Sequence, residues 1–191
     1  MDEDLARGLV PLYICATVGT SAVGAVDPLA PLGELAREYG VWLHVDAACV
    51  EYGQYFEELD RADSFSTNPQ KWLLSNMDCC CLWVKNPSSL VISLCTDAEI
   101  LKNDASESKQ VVDYKDWQIS LSRRFRSLKL WLVMRRFGAD ILIDHIRSDV
   151  EMAKQFERMV GMDERFEVVV KRRFALVCFR LREKKGIVRD E

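Results

Sequence analysis

The sequence lacks long hydrophobic runs, massed basic residues and a basic leader, and each absence excludes a class of protein. No apolar run approaches the roughly 20 residues of a membrane-spanning helix, so we expect no transmembrane segment. The 26 Lys and Arg residues are interspersed with 30 Asp and Glu residues, and the net charge of −4 argues against a nucleic-acid partner. The first residues, Met1-Asp-Glu-Asp-Leu5, are acidic where a signal or transit peptide would be basic. We therefore expect a soluble, cytoplasmic protein.

Metal-binding motifs are also absent from the sequence. It has two histidines and seven cysteines, but no Cys-x-x-Cys pair and no His-x-x-x-His pair. The cysteines are scattered except for Cys79-Cys80-Cys81, and on a strand these three side chains would point to alternating faces. The pattern predicts reduced cysteines that act as small hydrophobes, and no metal site.

The first half of the chain has the pattern of an α/β protein. An apolar run, 10–16, predicts a strand that ends in a Gly- and Thr-containing loop. Asp27 and Pro28 then predict a helix start, as N-cap and first helical residue, and Gly40 predicts its end. The next apolar strand, Val41 to Val45, leads directly into Asp46. Strand, helix and strand with short connections indicate a parallel sheet.

The rest of the chain predicts a change of architecture. We expect a short helix or irregular connection from Glu51 to Leu59, a strand leading to Asn68, and a strand over 78–85. The polar stretch 86–116 predicts a mobile surface loop. Two helices follow, one from about Leu121 with Gly138 near its end and one that stops at Gly161. Two final strands, 166–170 and 174–181, predict a new small sheet.

Asp46 and Lys71 are the candidate functional pair, because each lies at the end of a predicted strand. Asp46 follows the apolar run Val41 to Val45, and Lys71 follows an alternating run that breaks at Asn68-Pro69. Ligands of open α/β sheets bind at such strand ends. An unpaired carboxylate there is costly and needs a cationic or hydrogen-bonding partner. A partly desolvated lysine is nucleophilic, and together the two match the imine lysine and acidic partner of pyridoxal phosphate enzymes. The alternative is that Asp46 caps a following helix and that Lys71 is a solvated surface amine.

Four separated blocks resemble one enzyme family. These are His44-Val-Asp-Ala-Ala48, Phe65-Ser-Thr-Asn-Pro-Gln-Lys-Trp-Leu-Leu74, Asp78-Cys-Cys-Cys-Leu-Trp-Val-Lys85, and Asp113-Tyr-Lys-Asp-Trp-Gln-Ile119 followed by Arg123-Arg-Phe-Arg-Ser-Leu-Lys129. In this order they resemble the group II pyridoxal-phosphate-dependent decarboxylases, in the aromatic-L-amino-acid branch that includes the plant tyrosine and tryptophan enzymes. The likeness runs from about Asp4 to Leu181.

The resemblance implies a fold, a cofactor and a reaction. The fold would be that of fold-type I pyridoxal phosphate enzymes. Lys71 would carry the cofactor as a Schiff base, and Asp46 would keep the pyridine nitrogen protonated. Ala48 would leave room against the ring, Asn68 would bind the phosphate, and Thr17 would support the cofactor near Asp46. The reaction would be decarboxylation of tyrosine, dihydroxyphenylalanine or tryptophan to its amine, by a homodimer or a heterodimer with a family member.

The sequence departs from the family pattern at three places. Gln70 stands where the family usually has a His, and Gln cannot exchange protons near neutral pH. Ile100 stands where the family has the loop Tyr that protonates the carbanion, and some relatives with Phe there are aldehyde synthases. After Ala48 the chain passes at once to Cys49-Val-Glu-Tyr52, without a Tyr-Ala-Gly segment of the family. These changes predict impaired decarboxylation, with an aldehyde product as the alternative.

By the same resemblance the chain is a truncated member of the family. It would comprise part of the large cofactor domain (1–85), a mobile catalytic-loop region (86–118), linking helices (119–162) and part of the small α+β C-terminal domain (163–191). Two alternatives remain open: a non-catalytic fragment that pairs with a full-length relative, or a reading frame that has lost exons.

Overall fold

A four-stranded sheet forms the centre of the protein in the computed structural model, which describes residues 1–48, 58–96, 98–108 and 110–182. A short helix, α1 (Asp2–Ala6), precedes the sheet. The strands, in sheet order, are β1 (Tyr13–Thr17), β2 (Trp42–Asp46), β3 (Ser64–Thr67) and β4 (Cys81–Val84). The first three run parallel, and β4 is antiparallel to β3. The predicted parallel α/β sheet is thereby confirmed.

Helix α2 (Leu29–Tyr39) connects β1 to β2 and covers one face of the sheet. It ends at Gly40, whose left-handed backbone (φ 65°, ψ 31°) suits glycine and confirms the predicted stop. The core beneath it consists of small and branched apolar side chains with almost no exposed area. Its members are Ala16, Val18, Leu29, Ala36, Val41, Leu43, Val45, Ala47, Ala62 and Phe174.

The predicted start of α2 is wrong by one residue and in its capping. Pro28 is the N-cap and the helix begins at Leu29, with no capping hydrogen bond from the residue 28 side chain. The Asp27 carboxylate instead accepts a hydrogen bond from the Thr17 backbone N–H, at 2.8 Å. The Thr17 N–H at the end of β1 is therefore hydrogen-bonded to the Asp27 carboxylate that the sequence pattern predicts as the cap of the helix.

The strand predicted over 78–85 is shorter in the structure, because it begins only at Cys81. The three adjacent cysteines differ in exposure: Cys79 is buried, Cys80 is exposed and Cys81 is intermediate. Cys79 and Cys80 thus belong to the segment that leads into β4. The predicted connection between Glu51 and Leu59 lies mostly outside the described residues, which resume at residue 58 with a short 3₁₀ turn.

The polar stretch after β4 is partly helical, which corrects the predicted loop. It contains α3 (Pro87–Leu94), α4 (Asp104–Glu107), and 3₁₀ turns at Glu99–Leu101 and Tyr114–Trp117. The Asn86 side chain accepts a hydrogen bond from Ser88 N and Pro87 occupies the first helical turn, so α3 has a regular start. Helix α3 lies over the second face of the sheet, with a groove of about 350 Å³ between them.

The last elements are a long interrupted helix and a small hairpin-like sheet. Helix α5 (Arg126–Met162) breaks at Gly138 (φ 72°, ψ 176°), which confirms two helical segments and moves their start from Leu121 to Arg126. Strands β5 (Phe166–Val168) and β6 (Phe179–Leu181) pair antiparallel and confirm the predicted second sheet. They are shorter than predicted because Phe174, between them, turns into the core of the first sheet.

Within the part of the chain that the structure describes, no helix is both long enough and apolar enough to cross a membrane.

Candidate functional site at the carboxyl edge of the parallel sheet

Asp46 ends β2 at the level where its two neighbouring strands also end. Thr17 of β1 pairs with it on one side, and Ser66 of β3 pairs with it on the other. The backbone of Asp46 is fixed there, since its carbonyl accepts a hydrogen bond from Val18 N at 2.8 Å. Parallel strands bring their carboxyl ends to one edge, so three polar side chains lie in a row across the sheet.

The Asp46 carboxylate is half-buried and is oriented by the chain that follows it. Its Oδ1 atom accepts a hydrogen bond from Ala48 N, at 3.0 Å. Ala47 is buried and its N–H donates to the Ser66 carbonyl at 2.8 Å, which holds the turn on β3. The local bond to Ala48 resembles a cap, but the residues that a helix would need, 49–57, lie outside the described residues.

Thr17 is held from both sides of its peptide unit. Its N–H donates to the Asp27 carboxylate at 2.8 Å, and its carbonyl accepts from Asp27 N at 2.9 Å. Thr17 is half-buried, with its side chain on the same face of the sheet as that of its register partner Asp46.

Asn68 and Lys71 follow β3 without an intervening loop. Asn68 is the N-cap of a 3₁₀ turn, Pro69–Lys71, in which Lys71 N donates to the Asn68 carbonyl at 2.9 Å. Pro69 is buried and anchors the turn, whereas Lys71 is exposed. The turn therefore presents an accessible amine directly beyond the strand next to Asp46.

The Cys80 thiol lies within electrostatic range of both members of the pair. Partial burial raises its pKa, the Asp46 carboxylate raises it further, and Lys71 lowers it. Asp46 is in register with Ser66, and the Lys71 turn begins two residues after Thr67 ends β3, so both residues lie at the same edge of the sheet. No local sequence pattern indicates the proximity of Cys80 to the pair, because β4 reaches the edge antiparallel and from a distant segment.

Buried polar atoms without a hydrogen-bond partner flank Lys71 along the chain. Within the described ranges these atoms are Thr67 Oγ1, Trp72 Nε1 and Ser75 Oγ, together with Asp116 Oδ1 further on. Such atoms are rare in folded proteins and carry a desolvation cost. Three of them lie within nine residues of the chain around Lys71.

A polar ladder supports the face on which Asp46 lies. Ring atoms of His44 lie 2.8 Å from Ser64 Oγ and 3.2 Å from Ser66 Oγ, and Trp42 Nε1 donates to Ser64 Oγ at 2.8 Å. Side chains alternate between the two faces along β2 and β3. This alternation could be read from the sequence, and it would have predicted that His44 and Ser66 share a face with Asp46.

The structure describes two of the three positions at which the sequence departs from the family pattern. Gln70, inside the Lys71 turn, accepts a hydrogen bond from Cys79 N through Oε1 at 2.9 Å. Ile100 lies in the 3₁₀ turn Glu99–Leu101 and is 90% exposed. The junction after Ala48 falls on residues 49–57, outside the described residues.

The fold and the edge of the sheet define a class: an α/β protein with part of the large domain of fold-type I pyridoxal phosphate enzymes. More narrowly, the model of the pyridoxal-dependent decarboxylase conserved domain matches residues 1–182, and the chain belongs to that family, whose cofactor is pyridoxal phosphate.

Individual relatives agree with this assignment. The chain is 58% identical over 188 residues to a phenylacetaldehyde synthase of a Rosa hybrid cultivar. This alignment covers 95% of this chain and 37% of the relative. It is 57% identical to a tryptophan decarboxylase of Camptotheca acuminata, over 97% of this chain and 38% of the relative. The crystal structure of Catharanthus roseus tryptophan decarboxylase with L-tryptophan superposes with a TM-score of 0.85 and 50% identity, covering 98% of this chain and 40% of that one. The chain thus spans somewhat more than a third of the length of these relatives.

Proposed function

We propose that this chain binds pyridoxal phosphate through Lys71, and that its ancestral reaction is decarboxylation of an aromatic L-amino acid to its amine. The observation that carries the proposal is the placement of the Asp46 carboxylate and the Lys71 turn after adjacent parallel strands, at one edge of the sheet. Relatives named for aromatic amino acid decarboxylation and for aldehyde synthesis support the substrate class.

The residues at this edge fit the cofactor by their chemistry. An accessible amine, a half-buried carboxylate and an amide side chain match an aldehyde, a protonated ring nitrogen and a phosphate, respectively. The unpartnered atoms Thr67 Oγ1, Trp72 Nε1 and Ser75 Oγ also favour a polar ligand near the turn.

Each proposed cofactor-binding residue has one role. Lys71 Nζ would attach the cofactor covalently, and the Asp46 carboxylate would keep the ring nitrogen protonated. Ala48 would leave space beside the ring, Asn68 would bind the phosphate, and Thr17 would support the cofactor near Asp46. When bound, pyridoxal phosphate supplies an electron sink for the pair released as carbon dioxide leaves.

We infer that turnover by this polypeptide is slow or absent. Gln70 carries no titratable proton, and the hydrocarbon side chain of Ile100 cannot donate one. General acid–base catalysis typically contributes 10²–10⁴-fold to a reaction rate. The absence of a proton-exchanging side chain at positions 70 and 100 should therefore remove much of this rate enhancement. Binding and turnover are therefore tested separately.

Borohydride trapping tests the binding proposal. The full chain is incubated with pyridoxal phosphate below one equivalent, reduced, digested and mapped by mass spectrometry. We expect the phosphopyridoxyl group on the peptide that contains Lys71, and its loss in Lys71→Arg. Lys85→Arg is the matched control, since Lys85 also follows a strand of the sheet and donates to the Asp60 carbonyl. Equal labelling of Lys71 and Lys85, or an unmodified Lys71, would contradict the proposal.

An aldehyde product is the second candidate function, favoured by Ile100 in place of a proton donor. Oxidative deamination consumes one O₂ and one water and yields aldehyde, carbon dioxide, ammonia and hydrogen peroxide. Product analysis with phenylalanine, tyrosine and tryptophan distinguishes the two, because only the aldehyde route forms peroxide in proportion to carbon dioxide.

A non-catalytic role as a pairing fragment is the rival from another class. The first half of α5 exposes Leu128, Trp131 and Leu132, at 43%, 56% and 53%, on one helical face. Apolar patches of this kind mark interaction surfaces, which supports association with a second family chain. Size-exclusion chromatography with and without a full-length relative tests this role, and a lone monomer that traps the cofactor would argue against it.

A further inference from the structure

Gln70 stands immediately before Lys71 and makes a long-range contact of its own. Its Oε1 atom accepts a hydrogen bond from the backbone N–H of Cys79, at 2.9 Å. Gln70 is half-buried and Cys79 is only 4% exposed, so the contact is screened from water. It joins the 3₁₀ turn after β3 to the segment that enters β4.

The segment that Gln70 contacts is also hydrogen-bonded to helix α5. Arg126, at the start of α5, binds Asp78 through two hydrogen bonds, Nε to Oδ1 at 3.1 Å and Nη2 to Oδ2 at 2.9 Å. This guanidinium lowers the pKa of Asp78 to about 2. On the other side, Cys81 is in register with Thr67 in the β3–β4 ladder. Cys79 is therefore bracketed by a contact to α5 on one side and by the β3–β4 ladder on the other.

The same segment also borders the Asp46 and Lys71 pair. Cys80 directly precedes Cys81, which is in register with Thr67, and the preceding residue of β3, Ser66, is in register with Asp46. A displacement of this segment would change the surroundings of the Lys71 amine on one side and of Asp46 on the other.

We propose that Gln70 is a positioning residue, which fixes the Lys71 turn against the Cys79–Cys80 segment and so sets the direction of the Lys71 amine relative to Asp46. The inference rests on the proposed function in one respect, the attachment of pyridoxal phosphate to Lys71. A neutral amide oxygen accepts a hydrogen bond at every working pH. The residue that departs from the family pattern thus has a mechanical task in place of a proton-transfer task.

The test compares three variants of Gln70 in the full chain. Gln70→Ala removes the acceptor, Gln70→Asn shortens it by one methylene, and Gln70→Glu keeps an acceptor oxygen at the same reach. Gln110→Ala, at an exposed glutamine, is the matched control. Cofactor-free readouts are hydrogen exchange of the Cys79 amide and the rate of reductive methylation of Lys71, both followed by mass spectrometry. The cofactor readout is the fraction of Lys71 trapped by borohydride at limiting pyridoxal phosphate.

We expect Cys79 exchange to rise roughly two- to tenfold in Gln70→Ala and Gln70→Asn, as for one lost hydrogen bond. The Lys71 methylation rate should change and the trapped fraction should fall in the same variants, with Gln70→Glu and Gln110→Ala close to wild type. Unchanged exchange, or faster exchange with unchanged Lys71 methylation and trapping, would overturn the inference. If wild type traps no cofactor, the proposed function fails, and the two cofactor-free readouts still decide the role of Gln70.

Discussion

His44 shows how a single side chain couples this edge of the sheet to pH. Its ring lies against Ser64 and Ser66, two residues before Asp46 and on the same face of β2. Burial lowers the pKa of His44 from its ordinary value of 6.5, and the nearby Asp46 carboxylate offsets this only in part. The folded protein therefore binds a proton at His44 less readily than the unfolded chain does.

Stability should consequently fall on acidification. Above pH 6.5 His44 is neutral in both states, and from 6.5 down to its lower folded pKa the unfolded chain binds the extra proton. Urea unfolding at pH 7.5, 6.5 and 5.5 should show a decreasing free energy of unfolding, with a smaller decrease in His44→Gln. His145→Gln removes the other histidine and separates its contribution. An equal pH slope in wild type and His44→Gln would refute this account.

Sequence patterns predicted the candidate site residues but not their contacts. Asp46 and Lys71 could be singled out because each lies at or just beyond the end of a strand. The role of Asp27 could not, because its acceptor atom binds Thr17, which is far outside the span of a capping motif. The contact between Gln70 and Cys79 likewise depends on the antiparallel return of β4, which no local pattern specifies.

At the scale of elements, α5 consists of two helical segments joined at one unusual residue. Gly138 has φ 72° and ψ 176°, a backbone conformation that only glycine adopts without strain. A Cβ added at this position would have no atom within 4 Å, so a substitution would meet backbone strain and not a clash.

Gly138→Ala should therefore destabilise the protein by about 1–3 kcal/mol. Gly161→Ala is the matched control, because Gly161 is in the same helix, is exposed and also has open space at Cβ. The control should gain about 0.5–1 kcal/mol from helix propensity. Thermal and urea unfolding measure both changes. A Gly138→Ala protein that is as stable as wild type, or more stable, would show that the break is not enforced by the backbone.

Most elements follow from periodicity and end signals, and one of the missed helices had a start signal as well. Helix α2 and strand β3 lie within the predicted runs, and β1 and β2 each extend one residue beyond theirs, because burial and pattern agree. Helix α3 was missed because the polar composition of the stretch outweighed Asn86 and Pro87, a cap and first-turn pair that does begin it. The early end of β5 and late start of β6 reflect Phe174, whose burial is decided by a distant sheet.

At the scale of the whole molecule, the two ends of the described chain meet. Phe174 is 7% exposed within the core that also contains Ala16, Val18 and Val45. The loop after β1 packs against the same segment. Gly24 lies so close to it that an added Cβ would be 3.2 Å from Arg173 Cβ, and Cys178 Sγ donates a hydrogen bond to the Ala22 carbonyl at 3.1 Å. The connection between β5 and β6 therefore packs against the first sheet and contributes to its core.

Phe174→Ala should lower the free energy of unfolding by about 3–5 kcal/mol, as expected for a buried aromatic side chain. Phe179→Ala, at a residue 44% exposed, is the control and should cost clearly less. Urea unfolding monitored by tryptophan fluorescence compares the two. Equal losses would mean that Phe174 contributes no more to the core than a surface ring.

The position of Phe174 also constrains when this protein can fold during its synthesis. Chains generally fold from the amino terminus as they are made, yet the core behind Asp46 is completed by a side chain close to the end of the described residues. Until that segment has left the ribosome, the core that contains Ala16, Val18 and Val45 lacks the Phe174 ring. Strands β1 and β2 therefore complete their core packing only after a segment far along the chain has been made.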